Sequence, residues 1–151
     1  MVDSVLAATA LTPYCWRLSP GDDLKQSLQA FTESHAIAAG CILTTVGSLQ
    51  QASLRFAGQE QATLLTDHFE IVSLVGTLAQ SGLHLHMAIA DSQGRTLGGH
   101  VMPGCLIYTT AEIVVGALSG LAFQRRLDDR TGYRELAIAD LGDRIDPSTY
   151  W

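Results

Sequence analysis

The stretch that decides the fold is residues 82–102, GLHLHMAIADSQGRTLGGHVM. Its first half alternates between apolar and other residues, as a β-strand with one buried face does. Residues 92–94 predict a three-residue hairpin loop with Gly94 in the left-handed conformation. Asp91 then faces Arg95, and the numbers of opposed residues sum to 186. The segment therefore predicts two antiparallel strands on either side of this loop.

The same register predicts that three histidines converge. His84 and His86 are two residues apart, so their side chains lie on one face of a strand. A sum of 186 places His86 opposite His100 and His84 opposite Met102, with opposed Cβ atoms about 4.5–5.5 Å apart. A sum of 185, or a bulge at the glycines beside His100, would turn that residue to the other face. The Asp91–Arg95 ion pair favours the first register.

Three neutral imidazoles on a rigid hairpin suit Zn²⁺ or another divalent first-row metal ion. A site with three protein ligands leaves one position open for water or an anion. The alternative is a polar stripe of histidines that binds no metal. Two further histidines are predicted to lie outside the site: His35 near a helix end, in a structural role, and His68 in a solvated turn.

Three other polar residues are candidates for supporting roles around the histidines. Glu112 and Glu70 lie in apolar strand segments, where a buried carboxylate needs a partner. Arg55, in another such segment, is the natural type of partner. We predict that Glu112 or Glu70 accepts a hydrogen bond from a ligating histidine, and that Arg55 contacts a bound anion. The alternative is that the two carboxylates face solvent on an edge strand.

The rest of the chain is mostly β-like around one amphipathic helix. The turn at residues 20–23 precedes Leu24, Leu28 and Phe31, which are spaced as one apolar helical stripe. Consecutive strands joined by short turns indicate an antiparallel sheet and the α+β class, with short flanking helices beside the main one. The predicted strands are residues 14–18, 41–46, 53–56, 69–78, 83–90, 96–102, 106–115, 123–127 and 133–138.

The chain length, 151 residues, predicts a single domain over residues 1–151. Its core is expected at about residues 14–138, followed by a polar tail at 140–151. Tyr150 and Trp151 at the end of this tail either dock on a neighbour or are disordered.

Composition limits the classes of function. Charged residues make up 16% of the chain, against about 25% in typical domains, which favours an oligomer that hides part of the surface. The net charge is −6 with a single lysine, Lys25, so a basic face for nucleic acid is not predicted. The arginines at 125, 126, 130 and 134 are interleaved with acids and predict a solvated, self-compensated surface.

The three cysteines form no C-x-x-C pair, which indicates reduced thiols and a cytoplasmic protein. Residues 1–11 lack the basic start of a signal peptide. Two stretches without charged residues, 34–54 and 71–90, are interrupted by glycines and polar groups. We therefore interpret them as buried strands joined by turns, with no membrane span.

Five stretches, taken together and in order, resemble the PPC (plant and prokaryote conserved) domain family. They are LSPGDDL at 18–24, TVGSL at 45–49, FEIVSLVGTL at 69–78, HLH at 84–86 with GGH at 98–100, and YTTAE at 108–112. The resemblance implies an antiparallel sheet assembled as a homotrimer. It also implies a DNA-binding or regulatory role, and a metal site at His84, His86 and His100 as in prokaryotic relatives.

Plant relatives carry AT-hook segments with an Arg-Gly-Arg-Pro core, and this sequence contains no such run. The missing AT-hook argues against direct DNA binding. In plant relatives a Gly-Arg-Phe-Glu-Ile-Leu stretch contacts other proteins, and Phe69, Glu70 and Ile71 match it here while residues 67 and 68 differ. The sequence as a whole favours a cytoplasmic homotrimer that binds a divalent metal, with zinc as the expected ion, and has a regulatory or interaction-based role, with other regulatory proteins as candidate partners. The alternative is a zinc-dependent hydrolase with Glu112 as general base or Arg55 as anion anchor.

Overall fold

The computed structural model describes residues 5–142. Within this range the chain forms one α-helix and eight β-strands. They are β1 (Ala10–Leu18), α1 (Leu24–Ser34), β2 (Gly40–Arg55), β3 (Thr63–Leu78), β4 (His84–Ala90), β5 (Thr96–Val101), β6 (Leu106–Ser119), β7 (Leu121–Leu127) and β8 (Arg134–Asp140). The predictions for Tyr150 and Trp151 concern residues outside the described range.

Six strands form one antiparallel sheet in the order β1-β6-β2-β3-β4-β5. The far end of β2 also pairs with β5, through Leu54 with Val101 and Arg55 with His100. Strands β2 to β5 therefore close into a ring. This closure places the last residue of β2 directly beside a predicted metal ligand.

Helix α1 covers the inner face of this sheet. Asp23 caps its N-terminus, where its carboxylate accepts a hydrogen bond from the Gln26 N–H at 3.0 Å. Leu24 and Leu28 are fully buried against the sheet and belong to its hydrophobic core. The helix and the antiparallel sheet are as predicted, whereas residues 5–142 contain none of the expected short flanking helices.

The prediction of two separate strands at 41–46 and 53–56 was wrong. Strand β2 runs without a turn for 16 residues and takes up irregularities by register shifts. Gly47, which would be equally typical of a turn, lies inside the strand with φ +152°. A Cβ at this position would come within 2.6 Å of the Ala111 Cα, so glycine is needed there for the close approach of β6.

Strands β7 and β8 form a separate two-stranded sheet. The hairpin packs on the main sheet through a small apolar cluster that includes Leu121, Phe123, Ala39 and Ala79. The Phe123 N–H also donates to the Ala38 carbonyl at 2.9 Å. This docking brings the side chains of the hairpin towards the ends of β3 and β4.

Candidate metal centre

The β4–β5 hairpin has the predicted register. His86 pairs with His100, and each following pair as far as Ala90 with Thr96 keeps the sum of 186. The Asp91 carboxylate accepts a hydrogen bond from the Arg95 N–H at 3.0 Å and forms an ion pair with its guanidinium at 2.7 Å. Gly94 has a positive φ of +76°. The turn chemistry and the alternating pattern therefore fix the strand alignment together.

One detail of the predicted pairing was wrong. The β4–β5 ladder ends at His86 and His100, so His84 does not pair with Met102. Beyond His100 the chain turns to β2 instead, and the Met102 N–H donates to the Ser53 carbonyl at 3.0 Å. His84 is paired on its other side, with Thr77 of β3.

The three imidazoles nevertheless meet on the outer face of the hairpin. The ring centroids are 5.0 Å apart for His84 and His86, 5.2 Å for His84 and His100, and 5.5 Å for His86 and His100. One ring nitrogen from each lies within 4.8 Å of the other two. On β4, Leu85 and Met87 alternate with His84 and His86 and are buried in the core. Strand alternation therefore directs these two histidines outward.

The surroundings of the cluster keep two of its imidazoles neutral. Burial, followed by the charges of Lys25 and Arg55, lowers the pKa of His100 to about 4. Burial, followed by the charge of Arg125, also lowers the pKa of His84. The neutral imidazole is the form that binds a metal ion, so near pH 7 these two residues need not release a proton before ligation.

The basic residues around the histidines come from three different elements. Arg55 ends β2 opposite His100. Lys25 lies in the first turn of α1, and its Nζ donates to the Val101 carbonyl at 2.8 Å. Arg125 of β7 donates from Nη2 to the Thr77 Oγ1 at 2.6 Å, beside His84. Only Arg55 is predicted from the sequence. No local pattern marks the other two, because tertiary packing brings them to the site.

Two connected clefts open at the histidines. The larger, about 940 Å³, lies between the three imidazoles and the loop that follows Arg55. The smaller, about 430 Å³, lies between His84, His100 and the β7–β8 hairpin. Arg55 and Tyr133 line both clefts. The cluster therefore faces a space of the size that small ligands occupy.

A sequence profile of the Plants and Prokaryotes Conserved (PCC) domain matches residues 6–119. The chain belongs to this family. This is the same family as the PPC family that the five stretches of sequence resemble, since PPC and PCC are two abbreviations of one name. The β7–β8 hairpin, which supplies Arg125 and Tyr133, lies beyond the matched range of the PCC domain.

Individual relatives agree with this assignment. A hypothetical protein from Salmonella enterica is 44% identical, with a TM-score of 0.88, and the match covers 93% of this chain and 99% of that one. A metal-containing protein from Archaeoglobus fulgidus is 26% identical, with a TM-score of 0.77 and coverages of 89% and 99%.

A curated relative, the bifunctional protein GlmU of a Synechococcus strain, is 49% identical over 143 residues. These residues are 95% of this chain but only 23% of that protein. The chain thus spans about a quarter of the length of the curated relative that it matches.

The PCC domain does not bring the two predicted glutamates to the histidines. Glu112 lies on β6 between Arg17 of β1 and Val46 of β2. Glu70 is exposed on β3 beside Ala90, at the far end of β4. Neither lines a cleft at the site, where the carboxylates are instead those of Glu60 and Glu135. The sequence shows that a glutamate lies within an apolar strand, but it does not show where that strand lies in the sheet.

The other predicted residues of the PCC domain lie as follows. Of the partner-contact stretch, Glu70 is exposed, whereas Phe69 and Ile71 are buried in the core. His35 caps the C-terminus of α1, with its Nδ1 3.1 Å from the Phe31 carbonyl oxygen. His68 is exposed as predicted, but it lies within β3 and not in a turn, and its ring packs at a tilt against Tyr108 with a centroid distance of 4.0 Å.

All three cysteines of the domain are free thiols. Across the described residues, no helix has both the length and the apolar character needed to cross a membrane.

Proposed function

We propose that this PCC domain binds a divalent metal ion, zinc by preference, through His84, His86 and His100. The observation that carries the proposal is the approach of three ring nitrogens to within 4.8 Å of one another. Tetrahedral zinc with Zn–N bonds of about 2.0–2.1 Å needs nitrogen separations of about 3.4 Å. Small side-chain torsions can supply the difference. The likeness to a metal-containing protein from Archaeoglobus fulgidus supports the same proposal.

The donor set favours zinc or a neighbouring first-row metal over calcium or magnesium. The cluster consists of imidazoles only, and hard cations prefer carboxylate and carbonyl oxygens. Three ligands leave a fourth position open towards the clefts. A metal ion bound there would polarise a bound water or oxyanion, while the surrounding residues of the chain would select what enters.

Metal analysis of protein purified without a histidine tag tests the proposal. We expect close to one zinc ion per chain after zinc is supplied and the excess removed. His86→Ala should lose this metal, and His68→Ala is the matched control because it removes an exposed histidine outside the cluster. Less than about one-tenth of a metal per chain in the unsubstituted protein would refute the proposal.

We further propose that the protein is a cytoplasmic homotrimer with a regulatory role that does not involve direct DNA binding. Exposed apolar side chains on β2 and β3, among them Val46, Leu64, Val72 and Val75, support burial against further copies of the chain. Light scattering should give three times the 16.2 kDa chain mass.

The net charge of −6 supports weak or absent binding to DNA. Salt-sensitive binding to an A/T-rich duplex would contradict the proposal that the protein does not bind DNA directly.

A hydrolase is the second candidate, and the clefts are the observation that favours it. Zinc with an open position can lower the pKa of its bound water to about 7. Glu60 and Glu135 line the clefts and are better placed than Glu112 to accept a proton. Metal-dependent turnover of esters, phosphates or lactones that is lost in His84→Ala would favour this candidate over a purely regulatory role.

A further inference from the structure

The wall of the smaller cleft carries more positive than negative charge. It contains Arg55, Arg125 and Arg134 against one carboxylate, that of Glu135. The protein as a whole has 9 lysines and arginines against 15 acids. The smaller cleft thus has a local excess of cations in an acidic protein, and a bound metal ion would add two further positive charges.

Arg55 has donor capacity that the fold does not use. Across residues 5–142 its guanidinium makes neither a hydrogen bond nor an ion pair. Two of its neighbours are cationic or become so on protonation, since it lies opposite His100 and close to Lys25, and the carboxylates that line the clefts, Glu60 and Glu135, form no ion pair with it. A half-buried guanidinium with five unused donors beside a metal site suits a planar or tetrahedral oxyanion.

Arg125, which belongs to β7, lines the same smaller cleft. Its guanidinium donates to a neutral acceptor, the Thr77 hydroxyl, at 2.6 Å. That contact fixes the orientation of the side chain beside His84 without neutralising its charge. Burial also lowers the pKa of Arg125, and the nearby Glu135 carboxylate offsets only part of this effect, as expected for a cation that has lost part of its hydration. An anion between the two arginines would restore the lost interactions.

We propose that the smaller cleft is the binding subsite for the oxyanion group, carboxylate or phosphate, of a small molecule. In this subsite Arg55 and Arg125 hold the group while one of its oxygens takes the open metal position. The inference rests on the proposed metal site and adds the chemical class of its ligand. It also gives a role to the β7–β8 hairpin, because Arg125 comes from residues beyond the matched PCC range. A concave space of about 430 Å³ fits a small molecule.

The test uses the protein loaded with Co²⁺, whose visible absorption reports changes at the open position. Inorganic phosphate and acetate are titrated separately in a buffer without coordinating anions. The variants are Arg55→Gln and Arg125→Gln. Arg126→Gln is the matched control, because that side chain bonds to Gln124 and lines neither cleft at the histidines. We expect the dissociation constant of the preferred anion to rise at least tenfold in both variants, as for loss of a charge-assisted hydrogen bond, and to be unchanged in the control.

Each outcome has a separate meaning. If the unsubstituted protein takes up no Co²⁺, the metal site and the subsite are both refuted. If it takes up Co²⁺ but the dissociation constant of each anion is the same for the unsubstituted protein and for the two arginine variants, only the subsite is refuted. The stronger of the two anions identifies a phosphate or a carboxylate ligand. Arg55→Lys should recover only part of the affinity, because it keeps the charge but not the fork of donors. Duplex DNA is titrated in the same way. If DNA changes the Co²⁺ absorption at a lower concentration than either anion does, the assignment to small molecules is wrong.

Discussion

Gly76→Ala should disturb the strand that carries His84. Gly76 lies on β3 opposite Leu85 and has a φ of +156°. A methyl group at this position would overlap the His84 carbonyl oxygen and come within 2.9 Å of the Leu85 Cα. Both contacts are with backbone, which cannot rotate away as a side chain can. Strands β3 and β4 must therefore separate at the residue that presents one of the three imidazoles.

Gly82→Ala provides the matched comparison and allows the magnitude to be worked out. Gly82 also has a positive φ, +132°, but no atom lies within 4 Å of the point that a Cβ would occupy there. Both substitutions carry the conformational cost of alanine at positive φ, about 1–2 kcal/mol. Only Gly76→Ala adds the steric overlap, about 1–3 kcal/mol. It should therefore melt about 2–12 °C below Gly82→Ala, at about 2–4 °C for each kcal/mol in a domain of this size.

Thermal unfolding followed by circular dichroism, at one protein concentration, measures this difference. Competition with a chromophoric chelator gives the zinc affinity of each variant. We expect Gly82→Ala to bind zinc like the unsubstituted protein and Gly76→Ala to bind it more weakly, because the His84 backbone has moved. Equal melting temperatures together with equal zinc affinities would refute the reasoning.

Three further predictions concern the core, the hairpin loop and the response to acid. Leu85→Ala empties a fully buried position between two ligands and should cost about 2–5 kcal/mol of unfolding free energy in urea denaturation; a loss well below that range would contradict it. Asp91→Ala removes the acceptor that aligns Arg95 and should weaken zinc binding in chelator competition, whereas Asp129→Ala in the other hairpin should not. The metal-free protein should lose stability as the pH falls from about 6.5 towards 4. Burial holds the pKa of His100 at about 4 in the folded protein, whereas a histidine of the unfolded chain has a pKa near 6.5. The unfolded chain therefore takes up the proton first and is stabilised relative to the folded protein. Urea midpoints that stay constant between pH 7 and pH 5 would contradict this last expectation.

The hairpin with the three histidines was predictable because its register is decided locally. The loop length, the positive φ of Gly94 and the Asp91–Arg95 pair all lie within five consecutive residues. Alternation then determines which face each side chain takes. Strand β2 was less predictable, since a glycine such as Gly47 is equally typical of a turn and of close strand approach. Only the partner strand distinguishes the two cases.

The walls of the clefts could not be predicted, because they depend on contacts between distant segments. Arg125 lies among interleaved acids, a pattern that predicts a solvated surface. It reaches the site only because the β7–β8 hairpin docks on residues near Ala39 and Ala79. Lys25 comes close to His100 because the first turn of α1 lies at the end of β5, where Lys25 donates to the Val101 carbonyl. The position of Glu112 depends on strand order in the same way, since β6 lies between β1 and β2.

The charges around His100 should also couple the metal to the anion. Burial is the main cause of the lowered pKa of His100, and Lys25 and Arg55 lower it further because they repel the charge of the added proton. They repel a divalent ion by the same interaction. An oxyanion beside Arg55 would offset that repulsion, so each ligand should raise the affinity for the other by the same factor. Arg55→Gln should therefore bind Co²⁺ more tightly than the unsubstituted protein in buffer without anions, and should gain less when phosphate or acetate is added. If Arg55→Gln instead binds Co²⁺ more weakly under both conditions, Arg55 supports the histidines structurally and the electrostatic argument fails.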